Sequence, residues 1–159
     1  MNLHNKIAAR LLTQSKVLEV VGKNTTLFDV TEDQYAVRVG GLFEHDPYPG
    51  VVINVPTQQI HSDMQDVANM ATAEAVIRVI SFSLDEAYKL ANACAWNSFD
   101  PPLPVTKPVA GLDGWKDLSK GIQSMGLRSI TEEPVAAADA DDRLFWLVEY
   151  TYSVDWYLS

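Results

Sequence analysis

The stretch 143–158 constrains this chain more than any other. Val148, Tyr150, Tyr152, Val154, Trp156 and Leu158 fall on one side of a two-residue repeat, and Glu149, Thr151, Ser153 and Asp155 on the other. A helix would scatter both sets around its circumference, whereas an extended strand separates them. One apolar and one wet face is the pattern of an antiparallel sheet covered on a single side. The aromatic side reads as core packing. The residues interleaved with the rings are acidic, which opposes a base-stacking platform for nucleic acid.

The cover has to come from helices, and two segments carry the required stripe. Over residues 2–21, Leu3, Ile7 and Leu11 recur every four residues, widened by Ala8, Leu12 and Val20, with Gly22 as the expected stop. Ser83 and Glu86 have capping-box spacing and open the second helix. Its stripe of Leu84, Ala87, Leu90, Ala91, Cys94 and Ala95 is narrow and alanine-rich, suited to close packing on a sheet. Pro101 and Pro102 require it to end by Phe99.

Shorter strand signals fill the rest. They lie at 27–30, at 35–39 before Gly40-Gly41, at 50–55 with pairing extending through 58–60, at 74–82 and at 125–132. The polar residues 61–72 are expected to be a long connection or the tip of an extended hairpin. The proline-rich residues 100–119 form an excursion that Trp115 pins to this protein or to a partner, and 135–142 form a flexible acidic loop. Strands do not alternate regularly with helices. The expected fold class is therefore α+β: a mostly antiparallel β-sheet with two main helices packed on one face. Residues 1–159 read as a single domain without internal repeats.

Charge limits the function. The chain carries 12 Lys+Arg against 21 Asp+Glu, a formal net charge of −9. That excess opposes a surface that grips phosphates. It is unevenly spread: residues 1–23 sum to +3, 29–66 to −6, 67–130 to zero and 131–159 to −6. The lone Cys94 excludes an internal disulfide and a cysteine-built zinc site, and on the apolar stripe it reads as a buried small hydrophobe. No GxSxG, GxGxxG or GxxxxGK[ST] pattern is present, and no helix opens behind Gly40-Gly41. His4, His45 and His61 are scattered. The pairs His45–Asp46 and His61–Asp63 lie in polar segments and read as solvated rather than catalytic or metal-binding. No catalytic residue, metal or cofactor is expected. Arg78 breaks an apolar strand, either to meet a carboxylate at a subunit contact or as a snorkelling edge arginine. Asn24-Thr25-Thr26 matters as a glycosylation sequon only in a secreted chain. The first residues lack the apolar core of a signal peptide, and no apolar run approaches membrane-spanning length, so a non-membrane protein made in the cytoplasm is expected.

In order and texture the whole chain resembles the tail-terminator (tail-completion) proteins of long-tailed bacteriophages. The resemblance rests on the first helix (NKIAARLL), the proline-led strand in DPYPGVVINV, the strand running into a helix in VIRVISFSLDEAYKLANAC, and the closing aromatic strand LFWLVEYTYSVDWYL. It implies a non-enzymatic virion protein forming a homo-oligomeric ring, commonly a hexamer. Such a ring caps the tail tube protein, docks the head–tail connector or neck protein, and lets DNA pass without binding it. A head-completion or neck adaptor protein of similar plan is the alternative, and a small-molecule binder or enzyme using His45, His61 and nearby acids a third. The resemblance implies subunit contacts by Lys6, Arg10, Lys16 and Arg78, and a negative lumen or rim drawn from Glu32, Asp33, Glu44, Asp46, Asp139, Asp141 and Asp142. Contacts to tube and connector are expected in the loops 40–50, 61–72 and 100–119, at His61, Asp63, Met64, Asp66 and Trp115.

Overall fold

A computed structural model describes residues 2–24, 34–61, 70–101, 110–136 and 144–158. The alternating C-terminal segment is a strand, Leu144–Tyr157 (β5), lying inside a five-stranded sheet. Its neighbours are β3 (Met70–Ser81) and β4 (Ile122–Ala136), both antiparallel to it. On the far side of β3 lies β2 (Gly50–His61), also antiparallel, and the short β1 (Val37–Val39) adds in parallel at the edge, giving the order β1-β2-β3-β5-β4. Three helices, α1 (Leu3–Leu11), α2 (Ser15–Val20) and α3 (Leu84–Trp96), complete an α+β fold.

One face of the sheet holds the core. Val51 and Ile53 of β2, Ala71, Ala73, Ala75, Ile77 and Val79 of β3, and Val148, Tyr150, Tyr152, Val154 and Trp156 of β5 are buried in one cluster with Leu3, Ile7 and Leu11 of α1 and Leu90, Ala91 and Cys94 of α3. Size is matched across the ladder: Ala71 faces Trp156, Ala73 faces Val154 and Ala75 faces Tyr152. Small residues beside large ones leave room for the rings without opening voids.

Several expected boundaries move, each for a local reason. The first helix is two helices. Thr13 Oγ1 donates to Arg10 O at 2.7 Å and Gln14 Nε2 to the same carbonyl at 3.3 Å, so side chains satisfy the end of α1 and the helix restarts after Gln14. Gly22 does not cap a helix. It lets the chain pass Pro47, whose carbonyl oxygen would lie 2.3 Å from an added Cβ. β2 runs through Pro56 by a register shift between Asn54 and Thr57. This is tolerable because β1 pairs β2 only at Val51–Ile53, leaving an open edge beyond. β3 begins at Met70, so β2 and β3 form an extended hairpin around residues 62–69. α3 stops at Trp96 with Asn97 in the left-handed region at φ 49°. Ser83 caps it, but Glu86 accepts from Ser81 Oγ rather than closing the box. The expected strand at 27–30, the tip 62–69 and residues 137–143 lie outside the described residues.

Candidate assembly surfaces

The basic residues of the first helices are tied down inside the chain. Lys6 Nζ donates to Lys120 O at 2.6 Å and stands 5.1 Å above the Trp156 ring. Arg10 donates to Gly111 O at 3.1 Å and covers Trp115 at 5.1 Å; burial lowers its pKa, against the pull of Asp117. Lys16 lies over Phe99 and pairs with Glu19 at 3.5 Å in an exposed contact. Arg78 finds its carboxylate within its own chain, Glu149 Oε1 at 2.7 Å, directly across the β3–β5 ladder.

The acidic candidates divide. Glu44 is exposed, whereas Glu32, Asp33, Asp139, Asp141 and Asp142 lie outside the described residues. Asp46 is committed within the chain. It is buried, accepts from Arg38 Nε and Nη2 at 2.9 and 2.8 Å, and takes the Phe43 N–H at 2.7 Å. Burial alone would raise its pKa; the Arg38 hydrogen bond, the Phe43 amide and the Arg38 charge together hold it below the ordinary carboxylate value. This pair, with Arg38 packed 4.1 Å from the Phe43 ring, fixes the 40–49 loop to the end of β1.

Trp115 is likewise turned into its own chain. It is 2% exposed and belongs to the core. Its loop is strapped down: Leu112 and Asp113 donate to Cys94 O and Ala95 O at 3.0 Å, and Gly114 donates to Met125 O at 2.7 Å. Asp113 also accepts from Trp96 Nε1 and the Leu127 amide, each at 3.0 Å. His61 is exposed and reaches Thr72 Oγ1 at 3.3 Å, which donates to Asp155 at 2.7 Å. Asp63, Met64 and Asp66 lie outside the described residues. Cys94 is fully buried, and burial pushes its thiol up to about 12. Among the described residues no three His, Cys, Asp or Glu side chains converge as metal ligands, and no helix is long and apolar enough to cross a membrane.

The structure adds a surface that the sequence reading missed. Tyr48, Phe82 and Phe145 stack against one another with ring centroids 4.5 to 5.0 Å apart. Tyr48 and Phe82 nevertheless remain 41% and 42% exposed. They come from the 40–49 loop, the residue after β3 and the start of β5, and Val135 of β4 stands opposite Phe145. The available signal was a phenylalanine at the limit of each strand, where a chain meeting only solvent favours polar residues. At the opposite end, Lys6, Ala9, Leu118, Lys120 and Tyr157 line an open groove of about 580 Å³.

No protein-family model and no curated protein matches the chain. Among solved structures it is similar to a chain from the virion of a native gene transfer agent particle. The likeness has a TM-score of 0.60 at 13% identity and covers 98% of this chain and 95% of the other. At that identity the likeness is one of fold, and it runs nearly end to end in both chains.

Proposed function

We propose that this chain is a structural subunit of a phage-like particle, and within it the tail terminator: a ring that caps the tail tube, joins it to the connector and lets DNA through. The observation that carries the reading is the likeness over 98% of this chain to a chain found in a virion. The surfaces agree with an assembly role. Tyr48, on the loop that the Arg38–Asp46 pair fastens, packs with Phe82 and Phe145 at one end of the sheet, and β2 and β3 pair as far as His61 and Met70 at the other. In this reading Glu44 and the acids at 32, 33, 139, 141 and 142 face the channel or its rim, repelling phosphates rather than holding them. The hairpin tip, with His61 and residues 63–66, meets the tube or connector.

Electron cryo-microscopy of particles made without this protein tests the assignment. Tubes of irregular length are expected. Tails of normal length detached from heads would transfer the chain to the neck-adaptor role, and normal joined particles would remove it from assembly altogether.

A further inference from the structure

We infer that the aromatic cluster of one copy docks into the lysine-lined groove of a second copy, so that subunits join end to end. This rests on the proposed ring and names its contact. The two sites lie at opposite ends of β5. Phe145 and Tyr157 are twelve residues apart, about 40 Å at the rise of an extended strand. The first site is apolar and projecting: Tyr48, Phe82 and Phe145 pack on one another, with Val135 beside them. Its charged neighbours along the chain and across the ladder are Glu44, Asp85, Glu86, Glu133, Asp141, Asp142 and Arg143, an acidic excess, together with the Arg78–Glu149 and Arg38–Asp46 pairs, which cancel themselves. The second site is the reverse. It is an open groove lined by Lys6, Ala9, Leu118, Lys120 and Tyr157, with Lys116 close by in sequence. Leu118 stands there 64% exposed on a short turn, the most exposed of the large hydrophobic residues described. Asp117, between the lysines, accepts from Ser119 N and Oγ at 3.1 and 2.6 Å and leaves the basic side chains there in excess.

A projecting aromatic group with an acidic surround thus matches an open groove with a basic surround. Buried aromatic anchors supply most of the energy in such contacts, and opposite charges set their orientation. Because the two patches differ and lie at opposite ends, the contact is heterologous and repeats from copy to copy until a ring closes.

Light scattering on the full-length protein tests this with two variants. Phe82→Ser removes one patch and Leu118→Asp the other. Each is expected to weaken self-association at least tenfold and give monomers where the wild type forms a closed oligomer larger than a dimer. Mixed, the two variants are expected to form a 1:1 dimer and nothing larger, since each retains the patch the other lacks. Circular dichroism checks folding; Tyr48→Ser and Lys120→Glu replace either variant that fails it. A monomeric or dimeric wild type, a variant that assembles normally, or a mixture that stays monomeric overturns the inference. Particles assembled with each variant separate this from the functional reading. Wild-type oligomers insensitive to both variants, in a protein still required for tail length, refute the contact alone. Oligomers broken by both variants, in a protein dispensable for particles, refute the function alone.

Discussion

Replacing Asp46 with alanine should destabilise the protein far more than its place in a polar loop suggests. The carboxylate is 3% exposed and the facing Arg38 side chain 7%. Three charge-assisted hydrogen bonds end on it, at 2.7, 2.8 and 2.9 Å. Truncation takes the Asp46 carboxylate from a buried guanidinium and leaves the Phe43 amide without that acceptor. Breaking one side of such a pair costs about 3–5 kcal/mol, which for a chain of this size lowers the melting temperature by roughly 10 °C. Replacing both partners with apolar residues should recover much of that loss, because the uncompensated charge disappears with the pair. Arg78→Ala is the control. Its pair with Glu149 has side chains 41% and 27% exposed, and solvent screening holds its contribution below about 1 kcal/mol. Acidity gives an independent reading. The unfolded carboxyl titrates near 3.9, roughly, and the folded one lower, so the pair's contribution is complete above that value and is lost as pH falls through the folded pKa. Urea unfolding of the four proteins, repeated at pH 7 and in acid, measures all of this. A loss below about 1 kcal/mol for Asp46→Ala, or a double variant no better than Asp46→Ala, would refute the reasoning.

Tyr152→Phe should leave stability unchanged or raise it by about 1 kcal/mol, because the Tyr152 hydroxyl is buried with no hydrogen-bond partner among the described residues; a clear loss in denaturant melts would reveal a partner. Gly111→Ala should cost about 2–3 kcal/mol or more, since its Cβ would lie 2.2 Å from Ala95 O and 2.4 Å from Trp96 N, backbone that α3 holds in place; an unchanged melting temperature sinks the idea. Cys94 should resist thiol reagents at pH 8 in the native state, its thiol being buried and pushed up to about 12, and react at once in urea; rapid native labelling contradicts this. Raising salt from 50 to 500 mM should slow subunit association several-fold while leaving dissociation nearly constant, read by stopped-flow light scattering; equal effects on both rates count against charge steering.

The fold was legible where the sheet is wet on one side only. β5 alternates because Glu149, Thr151 and Asp155 meet the open face while Tyr150, Tyr152 and Trp156 meet the helices. β4 was read too short because its distal half, from Arg128 to Val135, is exposed on both faces and carries no periodic signal. The break at Thr13 and Gln14 was invisible because it depends on which carbonyl a polar side chain finds, a choice made by packing. Sites fared worse for the same kind of reason. Lys6 and Arg10 look like free surface charge on a helical wheel, yet each lies over a tryptophan more than a hundred residues away in sequence. The aromatic cluster joins three separate segments, none conspicuous alone.

The net charge of −9 does not say which charges a neighbouring molecule meets. Asp46 is neutralised by Arg38 and Glu149 by Arg78; Asp113 and Asp155 are occupied holding a loop and a hydroxyl network. Acids committed in this way stabilise the fold; the two ion pairs cancel at a distance, whereas Asp113 and Asp155, held by neutral donors, keep their charge. The uncommitted acids Glu44, Asp85 and Glu133 stand near one end of the sheet, and Lys116 and Lys120 near the other. Among the described residues, these five charges give a polarity along the strands. A polarity of that kind cannot be satisfied by stacking like ends together, so it favours head-to-tail neighbours before any apolar contact forms. The aromatic rings then act at short range, where the charges have already chosen the orientation.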